Sequence, residues 1–305
     1  MTQLSRRDFF VTSSIAFGSL THPFAQNAPA PAAPPQPPQT SFDPLRGNVG
    51  VFSGRGGTIG LLVAQDGVVV VDTQFADTAT IALSNLQQWS TRKIDLLINT
   101  HHHGDHTSGN TVFRPMAAKH VAHRNVPALQ KTQAATAKTE DQQSYADTTY
   151  DTTWSEKVGV ETVSLKYYGP AHTGGDSVVT FQNANIVHMG DTLFYLRNPR
   201  VDRAGGASIK NWIVLLETVA KEHPADTIYI TGHSKTNLPV TVARAEVLKF
   251  RDYFTALLGY VQKGVSSGRP AAEIVKVASV PGFADYEGSP EGTIQAAYDE
   301  LTAKA

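Results

Sequence analysis

The sequence predicts an α/β fold with mixed sheets, on three observations. Apolar runs of strand length alternate with amphipathic stretches of helical period. The order strands, helix, strand occurs twice, with a helix to cover each outer face. Several apolar runs also stop abruptly at polar segments rich in His and Asp. Of the 305 residues 41% are hydrophobic, enough for a substantial core. The net charge is −1, and neither a block of like charge nor interleaved aromatic and basic residues is present, so nothing points to nucleic acid or an anionic membrane as a partner. Cysteine is absent, so disulfides and thiolate ligands are too. Any metal must be held by His, Asp or Glu, and the lack of thiols suits an oxidising compartment.

Residues 1–28 read as an export signal. Ser5-Arg6-Arg7-Asp8-Phe9-Phe10 is similar to the twin-arginine pattern, and a weakly apolar stretch from Val11 to Leu20 follows. That stretch is too short and too rich in Ser, Thr and Gly to span a bilayer, so no stable membrane span is expected once the signal is removed. Cleavage is expected after Ala25 or Ala28. The partner implied is the twin-arginine export machinery, which carries folded proteins, and the expected location is the periplasm. Residues 29–41 form a Pro-rich linker that cannot bury a core. The globular domain is expected over 42–305.

Within it, Val49 to Phe52, Thr58 to Ala64 and Val68 to Val71 read as strands, with Asp66-Gly67 predicting a tight hairpin. Val68 to Val71 is apolar on both faces and should lie inside a sandwich. It ends at Asp72, whose carboxylate could cap the next helix or a turn. Ala76 to Trp89 has the spacing of a surface helix. Ile94 to Ile98 and Lys119 to Ala122 read as strands, Arg124 to Thr132 as a helix, and Ala134 to Thr153 as polar and weakly periodic. Val158 to Leu165 alternates as one half-buried strand. Ser177 to Phe181 and Asn185 to Met189 form a pair turning at Asn183-Ala184. Ser208 caps an amphipathic helix to Glu222, and Thr227 to Ile230 is a strand. Val240 to Gly264 predicts a long helix, and shorter ones begin near Ala271 and Glu291.

The segment Leu96 to Asn110, LLINTHHHGDHTSGN, carries the chemistry. His101, His103, Asp105 and His106 fall within six positions. Crowded imidazoles cannot all be protonated, and a carboxylate among them needs a cation; a divalent metal meets both demands. Gly104 allows the backbone to turn sharply there. Three further candidates each follow an apolar run: His172 in GPAHTGGD, Asp191 in MGDTLF and His233 in ITGHS.

In this H-x-H-x-D-H motif and the order of its downstream partners, the chain resembles the metallo-β-lactamase superfamily, over about Gly47 to Leu238. The resemblance implies two stacked sheets between helices, a four-layered αββα sandwich. It implies that His101, His103 and His172 hold one zinc, that Asp105, His106 and His233 hold a second, and that Asp191 bridges them opposite a shared water. It also implies that an acid at the strand end, here Asp72, supports the metal ligands from behind, and that the region Ala134 to Thr153 forms a flap or extra helix over the site. The nitrogen and oxygen donors suit two Zn(2+), and equally iron or manganese. Two such ions about 3.5–4 Å apart lower the pKa of a bridging water toward roughly 7. Asp105, itself a ligand, would be catalytic by orienting that nucleophile. The expected activity is metal-assisted hydrolysis by a bridging hydroxide of an amide, ester or lactam-type carbonyl in a small-molecule substrate. Among the other histidines, His102 holds the variable motif position and should point away. His120, His123 and His188 flank strand ends, where they could brace ligands, and His223 sits at a helix end where the dipole favours a cation.

The tract from Gly169 onward looks like the branch near class B β-lactamases, which makes β-lactams candidate substrates. The first lactamase subclass has Cys where Asp191 stands, and three positions on a lysine that grips the substrate carboxylate; here Phe194 takes its place, leaving Arg197 or Arg203 to substitute. Asp at 191 is usual in thioester hydrolases such as glyoxalase II, in lactonases and in phosphodiesterases. The glyoxalase reading is weakened by the dispersal of Lys249, Arg251, Lys263 and Arg269, and by export. A basic surface for a nuclease is lacking, and His103 stands where flavodiiron proteins use Glu. A persulfide dioxygenase would leave His233 idle. A zinc-binding module without catalysis is the reading from a different class.

Overall fold

The computed structural model describes residues 38–303. The export signal, and the Pro-rich segment as far as residue 37, lie outside the described residues.

Chain order builds two sheets in succession. β1 (Ser41–Pro44), β2 (Val49–Ser53), β3 (Ile59–Ala64) and β4 (Gly67–Val71) form an antiparallel meander. After helix α1 (Ala76–Trp89), β5 (Ile94–Ile98) adds in parallel to β4. Two single-turn helices, α2 (Gly104–Thr107) and α3 (Asn110–Phe113), lead to β6 (Ala117–His123), helix α4 (Val126–Ala137) and β7 (Thr148–Tyr150), which complete a seven-stranded sheet. β8 (Thr153–Val158), β9 (Glu161–Lys166), β10 (Val178–Phe181) and β11 (Ile186–His188) begin the second sheet. β12 (Phe194–Tyr195) precedes helix α5 (Ile209–Glu222). β13 (Ile228–Ile230), β14 (His233–Ser234) and β15 (Thr241–Val242) follow, with helices α6 (Arg244–Ser266), α7 (Ala271–Ile274) and α8 (Glu291–Thr302) at the end. The second sheet runs β15-β13-β11-β10-β9-β8, and β12 pairs with β14 apart from it.

Alternation decides the layering. Val69 and Val71 face inward to meet Val163, Leu165, Val179 and Phe181 of the second sheet, while Val68 and Val70 face outward to α1 at Ala79, Ala82 and Leu86. The Val68–Val71 run is therefore buried on both faces, as its composition predicts. On the far side, Val187 and Tyr229 pack under Trp212 and Leu216 of α5 and Phe250 and Phe254 of α6. Helix, sheet, sheet, helix is the resulting order. No helix among the described residues is long and apolar enough to cross a membrane.

Several boundaries differ from the sequence reading. The hairpin between β3 and β4 turns at Gln65-Asp66, because Ala64 pairs directly with Gly67. Gly67 belongs to the strand and is small because a Cβ there would come within 2.5 Å of Val158. Val158 to Leu165 is not one strand: Gly159, at φ +59°, turns the chain between β8 and β9. The long helix starts at Arg244, since Thr241 and Val242 pair with β13. The strand β1 begins at Ser41, one residue inside the stretch read as linker.

Candidate metal centre

All seven candidate ligands meet at one rim, where strands end. The chain leaves β5 at Asn99-Thr100, and α2 begins within the motif, with His103 at its N-cap. His172 lies on the β9–β10 connection and Asp191 in a 3-10 turn, Gly190–Thr192, after β11. His233 opens β14, and its pairing with Phe194 of β12 ties it to the turn carrying Asp191. His101, His103, His172 and Asp191 form one group able to hold an ion, and Asp105, His106 and His233 a second, each with ligand atoms within 4.8 Å of one another.

In the first group His101 Nε2 lies 3.2 Å from His103 Nδ1, and His172 Nε2 lies 2.9 Å from the same atom. Asp191 Oδ2 is 3.4 Å from His172 Nε2 and 3.9 Å from His101 Nε2. The other oxygen of Asp191 faces the second group, with Oδ1 3.0 Å from His106 Nε2 and 3.5 Å from His233 Nε2. Asp105 Oδ2 is 3.1 Å from His233 Nε2. Asp191 thus has one oxygen in each group.

In four of the five candidate imidazoles the ring nitrogen turned away from the cluster finds oxygen. His106 Nδ1–H donates to Asp72 Oδ2 at 2.8 Å, and His103 Nε2–H to Asp202 Oδ2 at 2.9 Å. His172 Nδ1–H donates to the Arg200 carbonyl at 2.8 Å, and His101 Nδ1 lies 3.0 Å from Thr100 Oγ1. These contacts fix ring orientation and aim the remaining lone pairs inward. Asp72 is therefore a brace; it sits at φ +63°, accepts from the Thr100 backbone N–H, and leaves the start of α1 to Phe75.

Electrostatics leave His101 and His172 neutral and the carboxyls of Asp191 and Asp105 ionised, the states that donate to a metal, whereas His106 would give up a proton to a cation. Burial, and then the charge of His106, keep His101 well below its ordinary range, and burial brings His172 to about 3. Burial opposes ionisation of Asp191 and Asp105, yet the neighbouring imidazoles outweigh it and hold both carboxyls below their usual range. Burial would lower His106 too, but Asp191, Asp72 and Asp105 hold it high. The residues fit a metal on a direct observation: His106 Nε2 and Asp191 Oδ1 are fully buried and neither makes a hydrogen bond, although they lie 3.0 Å apart. Such orphaned atoms are costly unless a cation takes them.

The other histidines find different places. His102 stands outside both groups and is buried, with Nε2 3.4 Å from Asp202 Oδ2. His188 accepts from the Gly190 N–H and reaches the Thr58 carbonyl, which anchors the Asp191 turn to the residue before β3. His120 contacts Asn99 Oδ1 at 2.7 Å, and His123 stacks on Tyr167. Phe194 stacks against the His233 ring and so walls a candidate ligand. Arg203 is turned to Glu300 and the Ala207 carbonyl. Sequence reasoning missed Asp202, Gly57 and Gly232. Asp202 follows no apolar run, and a Cβ on Gly57 or Gly232 would collide with the His106 ring or with Asp191 Oδ1.

Fold and site together define a metal-dependent hydrolase. The chain belongs to the metallo-β-lactamase superfamily, whose family model matches residues 53–233. It is 27% identical over 179 residues to a probable metallo-hydrolase of Methanocaldococcus jannaschii, covering 55% of this chain and 82% of that one. It is 25% identical over 173 residues to a type 2 metallo-β-lactamase of Elizabethkingia meningoseptica, covering 56% and 66%. Among solved structures, the sec-alkylsulfatase Pisa1 from Pseudomonas sp. superposes with a TM-score of 0.68 at 15% identity, over 86% of this chain; the chain spans 50% of that protein's length. A metallo-β-lactamase from Pontibacter korlensis superposes with a TM-score of 0.59 at 16% identity, over 71% of this chain and 99% of that one. At such identities the two structures speak for the fold alone.

Proposed function

We propose that the chain is a dinuclear hydrolase, with zinc as the preferred ion, acting on an amide, ester or lactam-type carbonyl, β-lactams among the candidates. The observation that carries this is Asp191, whose two oxygens face separate His/Asp groups. A pair of divalent ions held there would polarise the carbonyl and supply a nucleophilic water near neutral pH. The chain's own part is positional. Asp105, with 30% of its side chain exposed, stands at the mouth and would orient the attacking water and hold its proton. Asp191, at 5% exposure, keeps the two groups in register from below.

A purely structural metal site closes on its ligands, whereas a catalytic one keeps an open position. The exposure of Asp105 and of His233, at 16%, favours catalysis. The lactam reading draws support from the type 2 metallo-β-lactamase relative. A glutathione thioester is disfavoured, because Lys249 is paired with Asp285 and Arg251 with Glu217 and Asp252, and Arg269 lies over Tyr260. The test is a panel of a chromogenic cephalosporin, a lactone, a thioester and a phosphodiester, assayed with chelation and zinc re-addition. Turnover of a carbonyl substrate that stops and returns with metal is expected. Retained metal without turnover of any of them would leave a binding module instead.

Export by the twin-arginine route to the periplasm belongs to the same proposal and rests on Ser5–Phe10. Changing Arg6 and Arg7 to Lys should retain the protein in the cytoplasm; undiminished periplasmic protein would refute it.

A further inference from the structure

The first turn of α5 grips both connections that deliver the buried ligands of the first group. Ser208 N–H donates to the Ala171 carbonyl at 3.0 Å, directly before His172. Asn211 Nδ2–H donates to the Tyr168 carbonyl at 3.0 Å and to the Pro170 carbonyl at 2.9 Å, on the same connection. The next residue, Trp212, reaches the other connection. Its indole N–H donates to the Thr192 carbonyl at 2.8 Å, directly after Asp191. The indole also meets the His172 ring edge-on, with centroids 5.7 Å apart and planes at 66°.

Neither side chain has room to drift. Trp212 is fully buried against Phe250 and Phe254, and its backbone N–H donates to the Ser208 carbonyl at 2.9 Å. The chain passes Asn211 at Gly169, where a Cβ would come within 2.8 Å of Asn211 Nδ2. Thr192 is buried as well, so loss of the indole N–H takes the donor from a carbonyl that water does not reach. The Asp191 turn would have to move to satisfy it.

We infer that Asn211 and Trp212 are positioning residues for the metal centre, which together fix the spacing between His172 and the Asp191 carboxylate. Asp191 Oδ2 lies 3.4 Å from His172 Nε2, and both belong to the first group, so that spacing sets how tightly this group holds its ion. This rests on the dinuclear reading above and deepens it. The second group is held through other contacts, His106 by Asp72 and His233 by the pairing of β14 with β12.

Competitive chelator titration of the zinc-loaded protein tests this, with urea unfolding measured alongside. Trp212→Phe keeps a ring and removes the N–H; one of the two ions should then be bound about 10–100-fold more weakly, the range for a ligand that loses its support. Asn211→Leu keeps a branched side chain, removes both donors and should have a similar effect. Phe254→Leu opens the same core at a ring 4.5 Å from Trp212. It should lower the urea midpoint and leave both ions as tight as before. In the cobalt-loaded protein the visible absorption bands should shift in the first two variants and not in the third. Trp212→Phe combined with Gly57→Ala, which crowds His106 in the other group, should loosen both ions. The inference is overturned if Trp212→Phe and Asn211→Leu hold both ions like the unaltered protein, or if Phe254→Leu loosens an ion as much as they do. It is overturned too if the combined variant loosens only one ion. Should Trp212→Phe fail to fold, Asn211→Leu decides. Two ions in the unaltered protein, with both variants unchanged, would remove this inference and leave the dinuclear reading; fewer than two would remove that reading and the inference with it.

Discussion

Gly57 has no room for a side chain, because a Cβ would fall inside the van der Waals envelope of the His106 ring. The backbone there is a wall behind a candidate ligand: Gly57 N–H donates to the Asp105 carbonyl at 3.0 Å, and its own carbonyl accepts from Gln74 at 2.6 Å. Gly57→Ala must therefore push the His106 ring off its line. Competitive chelator titration should show one ion bound about 10–100-fold more weakly, the range typical when a ligand loses its support. Unchanged affinity for both ions would show that the wall does not matter. At this scale the convergence of the His and Asp candidates was legible, because ionisable groups crowded at strand ends are costly unless a cation joins them. Gly57 was not, since glycine in a loop looks alike whether it turns the chain or makes way for a ring. Asp202 was not either: it reaches His103 across 99 positions, and nothing local in the sequence marks it.

Among the elements, α5 shows how the loop beside the site is held. Ser208 accepts from the Asn211 N–H as its cap, in line with the sequence reading. The carboxylate of Glu300, from α8, adds to it. It accepts from the Ile209 and Lys210 N–H groups and from Ser208 Oγ, and pairs with Arg203. A distant helix thus supplies the negative charge favoured at the start of α5, in a partly buried place. Glu300→Ala leaves those donors and Arg203 without their acceptor and should lower stability by about 2 kcal/mol in urea unfolding, the cost of a lost cap in such a setting. A change below about 0.5 kcal/mol, the usual surface effect, would contradict it. Long elements with full periods, such as α1, α5 and α6, were readable from the sequence. The two-residue strands β12 and β14 were not, because they exist only through each other. The β8–β9 hairpin was hidden because Gly159 interrupts an alternation that otherwise continues through it.

On the scale of the whole molecule, two sheets meet through Val69, Val71, Val179 and Phe181 and are closed by α1 on one side and α5 with α6 on the other. Periodicity could give the strands, the helices and their buried faces; that the sheets stack was implied only by the resemblance, because alternation does not say which face meets which. This stacking brings the ends of β4, β5, β9, β11 and β13 to one rim, so residues from Asp72 to His233 can share one site. The central claim is that this rim holds two ions joined through Asp191. Metal analysis of the purified, zinc-loaded protein tests it most directly. Two ions per chain are expected, falling to one or none in Asp191→Ala together with activity; a single ion per chain in the unaltered protein, or two retained without Asp191, would contradict the account.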